Sequence, residues 1–162
     1  MAIDIILCDI IQNFTGIDAS RIVVYNQNFK APTDQGIFIV VSTGSTQIIA
    51  EVEKFDSDTD EMVSTISMYT QLAVEITSQN RDALDRKHEI IMAINSVYSI
   101  RQQEDNNISI KRNGNFLDLS AVDGASSLHR FQIPVIISHM ETKRTAIEPI
   151  DKFQAVEVDT NG

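Results

Sequence analysis

Met62-Val63-Ser64-Thr65-Ile66-Ser67-Met68-Tyr69-Thr70-Gln71-Leu72-Ala73-Val74-Glu75-Ile76-Thr77 alternates almost without a break. Met62, Ile66, Met68, Leu72, Val74 and Ile76 share one face, and Thr65, Ser67, Gln71, Glu75 and Thr77 share the other. Period-two alternation is the signature of a strand. At about 3.3 Å per residue this one reaches on the order of 45 Å, where an ordinary strand has roughly 5–6 residues. With the segment before it, the stretch reads as one β-hairpin over residues 45–77 that projects beyond its own core. A projecting strand pair needs something to lie against, so the pattern points to assembly rather than chemistry.

The tip of this hairpin is acidic. Residues 51–62 hold Glu51, Glu53, Asp56, Asp58, Asp60 and Glu61 against Lys54 alone, about half of the chain's formal net charge of -10. Asp56-Ser57-Asp58-Thr59-Asp60 opens like a calcium loop, but that pattern needs glycine sixth and a bidentate acid twelfth. Glu61 and Ser67 stand there instead. Specific calcium binding is not expected. The acids read as a solvated tip that discourages edge-to-edge aggregation of a long apolar arm.

The rest of the 162 residues fits one α+β domain over residues 1–148. Ile3, Ile6, Leu7, Ile10, Ile11 and Phe14 have helical spacing and predict a first helix over residues 2–14, stopped at Gly16. Residues 22–25 and 37–41 are strand candidates separated by a loop over residues 26–36, and Gly44 marks a bend into the arm. A second helix is predicted over residues 81–98 or slightly beyond, capped from Ser78-Gln79-Asn80, with Asp82 and Asp85 in its first turn. Residues 108–110 lead into Asn113-Gly114, the strongest short-range hairpin signal, and residues 116–119 begin its partner strand. The run over residues 130–140 contains Pro134, which belongs on an edge or at a bulge. Residues 149–162 are expected to add a C-terminal strand or arm. The order is α-β-β-β-α-β-β-β, with two helices packed on a mostly antiparallel twisted sheet.

Chemistry is sparse. Cys8 is the only cysteine, which excludes an intrachain disulfide, favours a reducing compartment and reads as a small core hydrophobe. His88, His129 and His139 lack metal-ligand spacing, and residues 124–128 begin like a nucleophile elbow without its second glycine. No catalytic, cofactor-binding or metal-binding residue is nominated, and neither enzyme activity nor a cofactor is expected. An acidic chain lacks the counterion-release drive for binding DNA, although an acidic surface beside a DNA path repels phosphate and prevents sticking. No apolar run is long enough to span a bilayer, and the N-terminus lacks the basic region of a cleaved signal. Ile48, Val52, Met62, Ile66 and Met68 are the expected packing residues of the arm, and Asp56, Asp58, Asp60 and Glu61 its tip. Lys111, Arg112, Lys143 and Arg144 read either as solvated charges, as does Arg130, or as a basic surface for the acidic tip of a neighbouring copy.

Several segments together carry a family resemblance. They are the helix closed by Phe14-Thr15-Gly16-Ile17, Asn28-Phe29-Lys30-Ala31-Pro32 before Gly36-Ile37-Phe38-Ile39-Val40-Val41, and Gln71-Leu72-Ala73-Val74-Glu75-Ile76. Asn80-Arg81-Asp82-Ala83, Ile94-Asn95-Ser96-Val97-Tyr98, Leu117-Asp118-Leu119-Ser120 and Leu128-His129-Arg130-Phe131-Gln132-Ile133 complete the set. Over residues 3–148 the chain resembles bacteriophage tail terminator, or neck, proteins. That resemblance implies a virion structural subunit, made in the host cytoplasm, that forms a ring, usually a hexamer, at the head-proximal end of the tail. Such a ring stops tail-tube polymerisation, docks the head connector, lets DNA pass without specific binding, and in contractile tails also meets the sheath. Its partners are itself, the tail-tube protein and the connector or adaptor, with no membrane. The competing expectations are a head-completion adaptor of the neck, or a cytoplasmic ligand-binding or regulatory α+β domain that dimerises through the arm.

Overall fold

The computed structural model describes residues 2–25, 32–123 and 126–147. The proposed C-terminal strand over residues 149–162 lies outside them, as does most of the loop over residues 26–36. Helix α1 (Ile3–Thr15) forms where the apolar spacing demands, burying Ile3, Leu7, Ile10 and Ile11. Gly16 ends it in the left-handed conformation at φ 66°, donating its N–H to Gln12 O. Strand β1 (Ile22–Val24) runs parallel to β2 (Phe38–Asp56), the only parallel pair among the described strands. β2 pairs antiparallel with β3 (Glu61–Ser78), and β3 antiparallel with β7 (Ser126–Ala146). Strands β4 (Ser109–Arg112), β5 (Leu117–Asp118) and β6 (Ala121–Asp123) all pair with β7. Among the described residues the result is a seven-stranded, mostly antiparallel sheet with helices on one face, the α+β architecture expected.

The second helix is longer than expected and broken. It comprises α2 (Asp82–Arg86), α3 (Glu89–Ile94) and α4 (Val97–Asp105). The first break is a tightened turn, in which Ile90 N–H donates to Lys87 O and Ile91 N–H to His88 O. The second is made by Ser96, which leaves the helical conformation so that its side chain can accept from Ser99 N–H. Ser78 and Asn80 cap the start as expected: Ala83 N–H donates to Ser78 Oγ, and Asp82 N–H to Asn80 Oδ1.

Asn113-Gly114 is not a hairpin turn. β4 and β5 on either side of it both pair with β7, in one direction, at Arg112↔Val135 and Leu117↔Gln132. Residues 113–116 therefore form an interruption in one edge rather than a reversal, so the long-range partner overrides the local turn preference. Pro134 lies inside the sheet, paired to Ala73, and not on an edge. Its carbonyl accepts from Asn113 N–H at 2.9 Å, so its missing N–H faces the interrupted side and spares the β3 ladder. Gly114 sits over this proline at φ 130°, where a Cβ would stand 3.3 Å from Pro134 Cγ. Gly114→Ala is expected to cost about 1–3 kcal/mol, read as a lowered urea midpoint, because this backbone conformation belongs to glycine.

The core is built from one face of the sheet. Ile39 and Val41, Leu72, Val74 and Ile76, and Phe131, Ile133, Val135 and Ile137 lie across from one another in register and are all buried. They pack against Leu7, Ile10 and Ile11 of α1 and Ile90, Ala93 and Ile94 of α3. Arg86 fastens the two helical layers, donating to Thr15 O at 2.7 Å and pairing with Glu89 at 2.7 Å. A cation at the C-terminal carbonyls of α1 complements its dipole. Cys8 is packed against this core as expected, and burial, with help from Asp4, pushes its thiol up to about 11. The thiol is therefore unreactive at neutral pH.

Candidate functional site: the projecting arm

The arm has three strands rather than two. β7 continues from the core to Ala146 and pairs with β3 along the whole distance, ending at Glu61↔Ala146. β3 is thus the central strand, flanked by β2 and β7. Among the described residues, no apolar side chain between Ser42 and Gln71, or beyond Ile137, is buried.

Two one-residue bulges decide which side chains share a face. The register of β2 on β3 shifts between Thr43 and Thr46, and again between Ile48 and Ala50. Each adds a residue to β2 and flips its alternation. The first shift falls where a bend was expected at Gly44. A Cβ there would come within 3.2 Å of Gln71 O, so the close approach of the two backbones favours glycine. Past the second shift, Glu51 pairs with Ile66 and Phe55 with Met62, whereas Val52 pairs with Thr65. Ile48, Met62, Ile66 and Met68 therefore share the core-side face, and Val52 lies on the opposite face with Val63, Tyr69 and Met140. The proposed packing set is split over both faces. Sequence reasoning missed Phe55, Tyr69 and Met140, which are exposed large apolar residues of the arm. Past Met140 the run Glu141-Thr142-Lys143-Arg144-Thr145 is polar throughout, so no alternation there marked the third strand.

At the tip, Asp60 adopts a positive φ of 52°, closing the turn between β2 and β3. Arg144 donates to Asp56 Oδ2 at 3.0 Å and to Glu61 Oε2 at 3.2 Å. The basic residue thus engages the acidic tip of its own chain. This bridge, followed by the Asp58 N–H hydrogen bond, holds the Asp56 carboxyl below its usual range. A carboxylate with a lowered folded pKa contributes stability above its unfolded pKa and loses it as pH falls through the folded value. Acidification below about pH 4 is therefore expected to loosen the tip before the core. Faster amide exchange at residues 56–61 than in the core, setting in below that pH, would show it; uniform exchange would contradict it. Lys143, opposite Ser64, has no ion-pair partner among the described residues, and Lys111 and Arg112 lie on β4 at the core end, far along β7 from the tip. The four basic residues do not form one surface.

An open groove of about 430 Å³ lies at the tip, lined by Val52, Lys54, Phe55, Val63, Thr65 and Arg144 among others. Where the arm leaves the core, Thr46, Thr70 and His139 form a chain: Thr70 Oγ1 lies 3.0 Å from Thr46 Oγ1 and 2.9 Å from His139 Nε2. His139 is buried, and among the described residues its Nδ1 has no hydrogen-bond partner. Among the described residues, no cluster of three or more His, Cys, Asp or Glu is placed to hold a metal ion.

The described residues thus form a long sheet arm on an α+β core, with apolar side chains left exposed along the arm. A family model for phage neck terminator proteins matches residues 6–162. The chain belongs to the phage neck terminator family. This family membership makes it a structural protein of the phage tail and neck. The match spans the helices, the sheet and the whole arm. A comparison with curated proteins found no match. No described helix of this neck terminator is long and apolar enough to cross a membrane.

Proposed function

We propose that the chain forms a homohexameric ring at the head-proximal end of the tail, ends polymerisation of the tail tube there, and gives the head connector its docking surface. In a contractile tail the same ring also meets the sheath. DNA passes through without specific binding, the role is structural, and no cofactor or catalysed reaction is involved. The observation that carries this reading is the arm. Ile48 and Val52 are each 59% exposed and Met140 54%, on a sheet that extends beyond every buried residue of the core. Covering these side chains contributes on the order of 1 kcal/mol each, a modest gain per contact that a closed ring repeats around its circumference. Growth of the tube stops because the distal face of the ring does not copy the tube's own docking surface.

The test is the length and occupancy of tails. Without the protein, tubes assembled in an infected cell should vary in length, and adding it purified to growing tubes should arrest them with one ring per tube end. Gold labelling should find it on isolated headless tails. Its absence from headless tails, with retention on filled heads, would assign it instead to a head-bound adaptor.

A further inference from the structure

At the core both strands that flank β3 have outer neighbours. β1 covers β2 as far as Val41, and the outer side of β4 is capped by Gln103, whose Oε1 accepts from Ile110 N–H at 2.8 Å. Along the arm neither edge is covered among the described residues. β2 has no outer neighbour from Thr43 to Asp56, and β7 none from His139 to Ala146. Long open edges invite pairing with another chain, and proteins ordinarily blunt them.

The two edges are complementary. On the face shared with Met62 and Ile66, β2 carries Glu51 and Glu53, whereas β7 carries Lys143, with Glu141 one position closer to the core. Among the described residues, Glu53 accepts a side-chain hydrogen bond from Ser64 Oγ at 3.3 Å and Lys143 has no ion-pair partner. Moreover, β2 and β7 both run antiparallel to β3 and so run in the same direction. Copies related by a ring rotation, with their arms side by side, bring β7 of one alongside β2 of the next as parallel strands.

We propose that residues 139–146 of one copy pair in parallel with residues 43–56 of the next, joining the arms into one closed sheet, with Lys143 set against Glu51 and Glu53. Main-chain hydrogen bonds hold the contact and the charges set its register. Ring closure then leaves no free strand edge on the arm. The inference rests on the ring reading above and adds which surfaces meet.

Paired thiols test it. Within one chain Glu53 and Lys143 flank Ser64 on opposite sides, two strand spacings or about 9–10 Å apart, beyond the reach of a disulfide. In a Cys8→Ala background, Glu53→Cys with Lys143→Cys should therefore crosslink only between copies. Mild oxidation of assembled rings should give a ladder on non-reducing gels that ends at the ring size, while each single variant stays monomeric. Scanning the partner positions over residues 51–55 and 141–145 locates the register. As a second arm, Lys143→Glu should weaken assembly roughly threefold per contact, and adding Glu53→Lys should restore it. Rings visible by electron microscopy with no crosslink anywhere in the scan would overturn the pairing and leave the ring standing. Absence of rings both free and on tails would overturn both. If residues 148–162 occupy the β7 edge instead, the scan stays silent and deleting them abolishes assembly.

Discussion

A chain in which residues 51–66 are replaced by a two-residue Asn-Gly turn is expected to fold normally and to lose capping altogether. Ala50 and Ser67 are paired in the ladder, so such a turn closes the shortened hairpin in a geometry it favours. The segment removed contains no buried apolar side chain, so unfolding free energy should change by no more than about 1–2 kcal/mol. What is lost is the outer reach of β2 and β3, with the acidic tip and the exposed Val52 and Phe55. Circular dichroism and denaturant unfolding report the first expectation, and tail length in electron micrographs the second. A shortened protein that still arrests tails at their normal length would refute an assembly role for the arm.

Ile133→Ala should do the reverse, damaging the fold while leaving the assembly surface in place. Ile133 is fully buried in β7, in register with Val74 and in the cluster that receives α1 and α3. Truncating such a side chain forfeits its transfer free energy and leaves a cavity, about 2–5 kcal/mol together. A chain of this size has roughly 8–16 kcal/mol of stability in total, so the loss takes a large share. Urea unfolding measures it directly. Ile48→Ala, at a 59% exposed position on the arm, should change the unfolding free energy by less than about 0.5 kcal/mol. A comparable loss at both positions would mean that the arm is part of the folding core.

Much of this division was legible in the sequence. The alternation of residues 62–77 located the arm, and the helical spacing of residues 3–14 located α1, because those patterns extend over many residues and leave one period dominant. Three features were not legible, each for a physical reason. Asn113-Gly114 carries a strong local turn preference, but β7 offers a continuous partner to both flanks, and local propensity yields to that pairing. The bulges in β2 each add a single residue, which a register-blind reading of alternation cannot place, so Val52 was put on the face opposite to its own. The third strand of the arm was hidden because Pro134 suggested an edge, whereas its missing N–H falls where the neighbouring ladder is already interrupted. Arg144 was read either as a solvated charge or as one for another copy because sequence distance conceals that Ala146 returns beside Glu61.

The length of β7 has a mechanical meaning. Its 21 residues run from beneath the helices to the tip, with every position from His129 to Ala146 paired to β3. The arm is therefore a stiff lever without a hinge, and a load at its end reaches the core through continuous backbone. Pulled along the strands, that ladder resists in shear, many hydrogen bonds sharing the force at once instead of peeling one after another. A ring built on such levers would transmit strain between tail and head as one rigid collar.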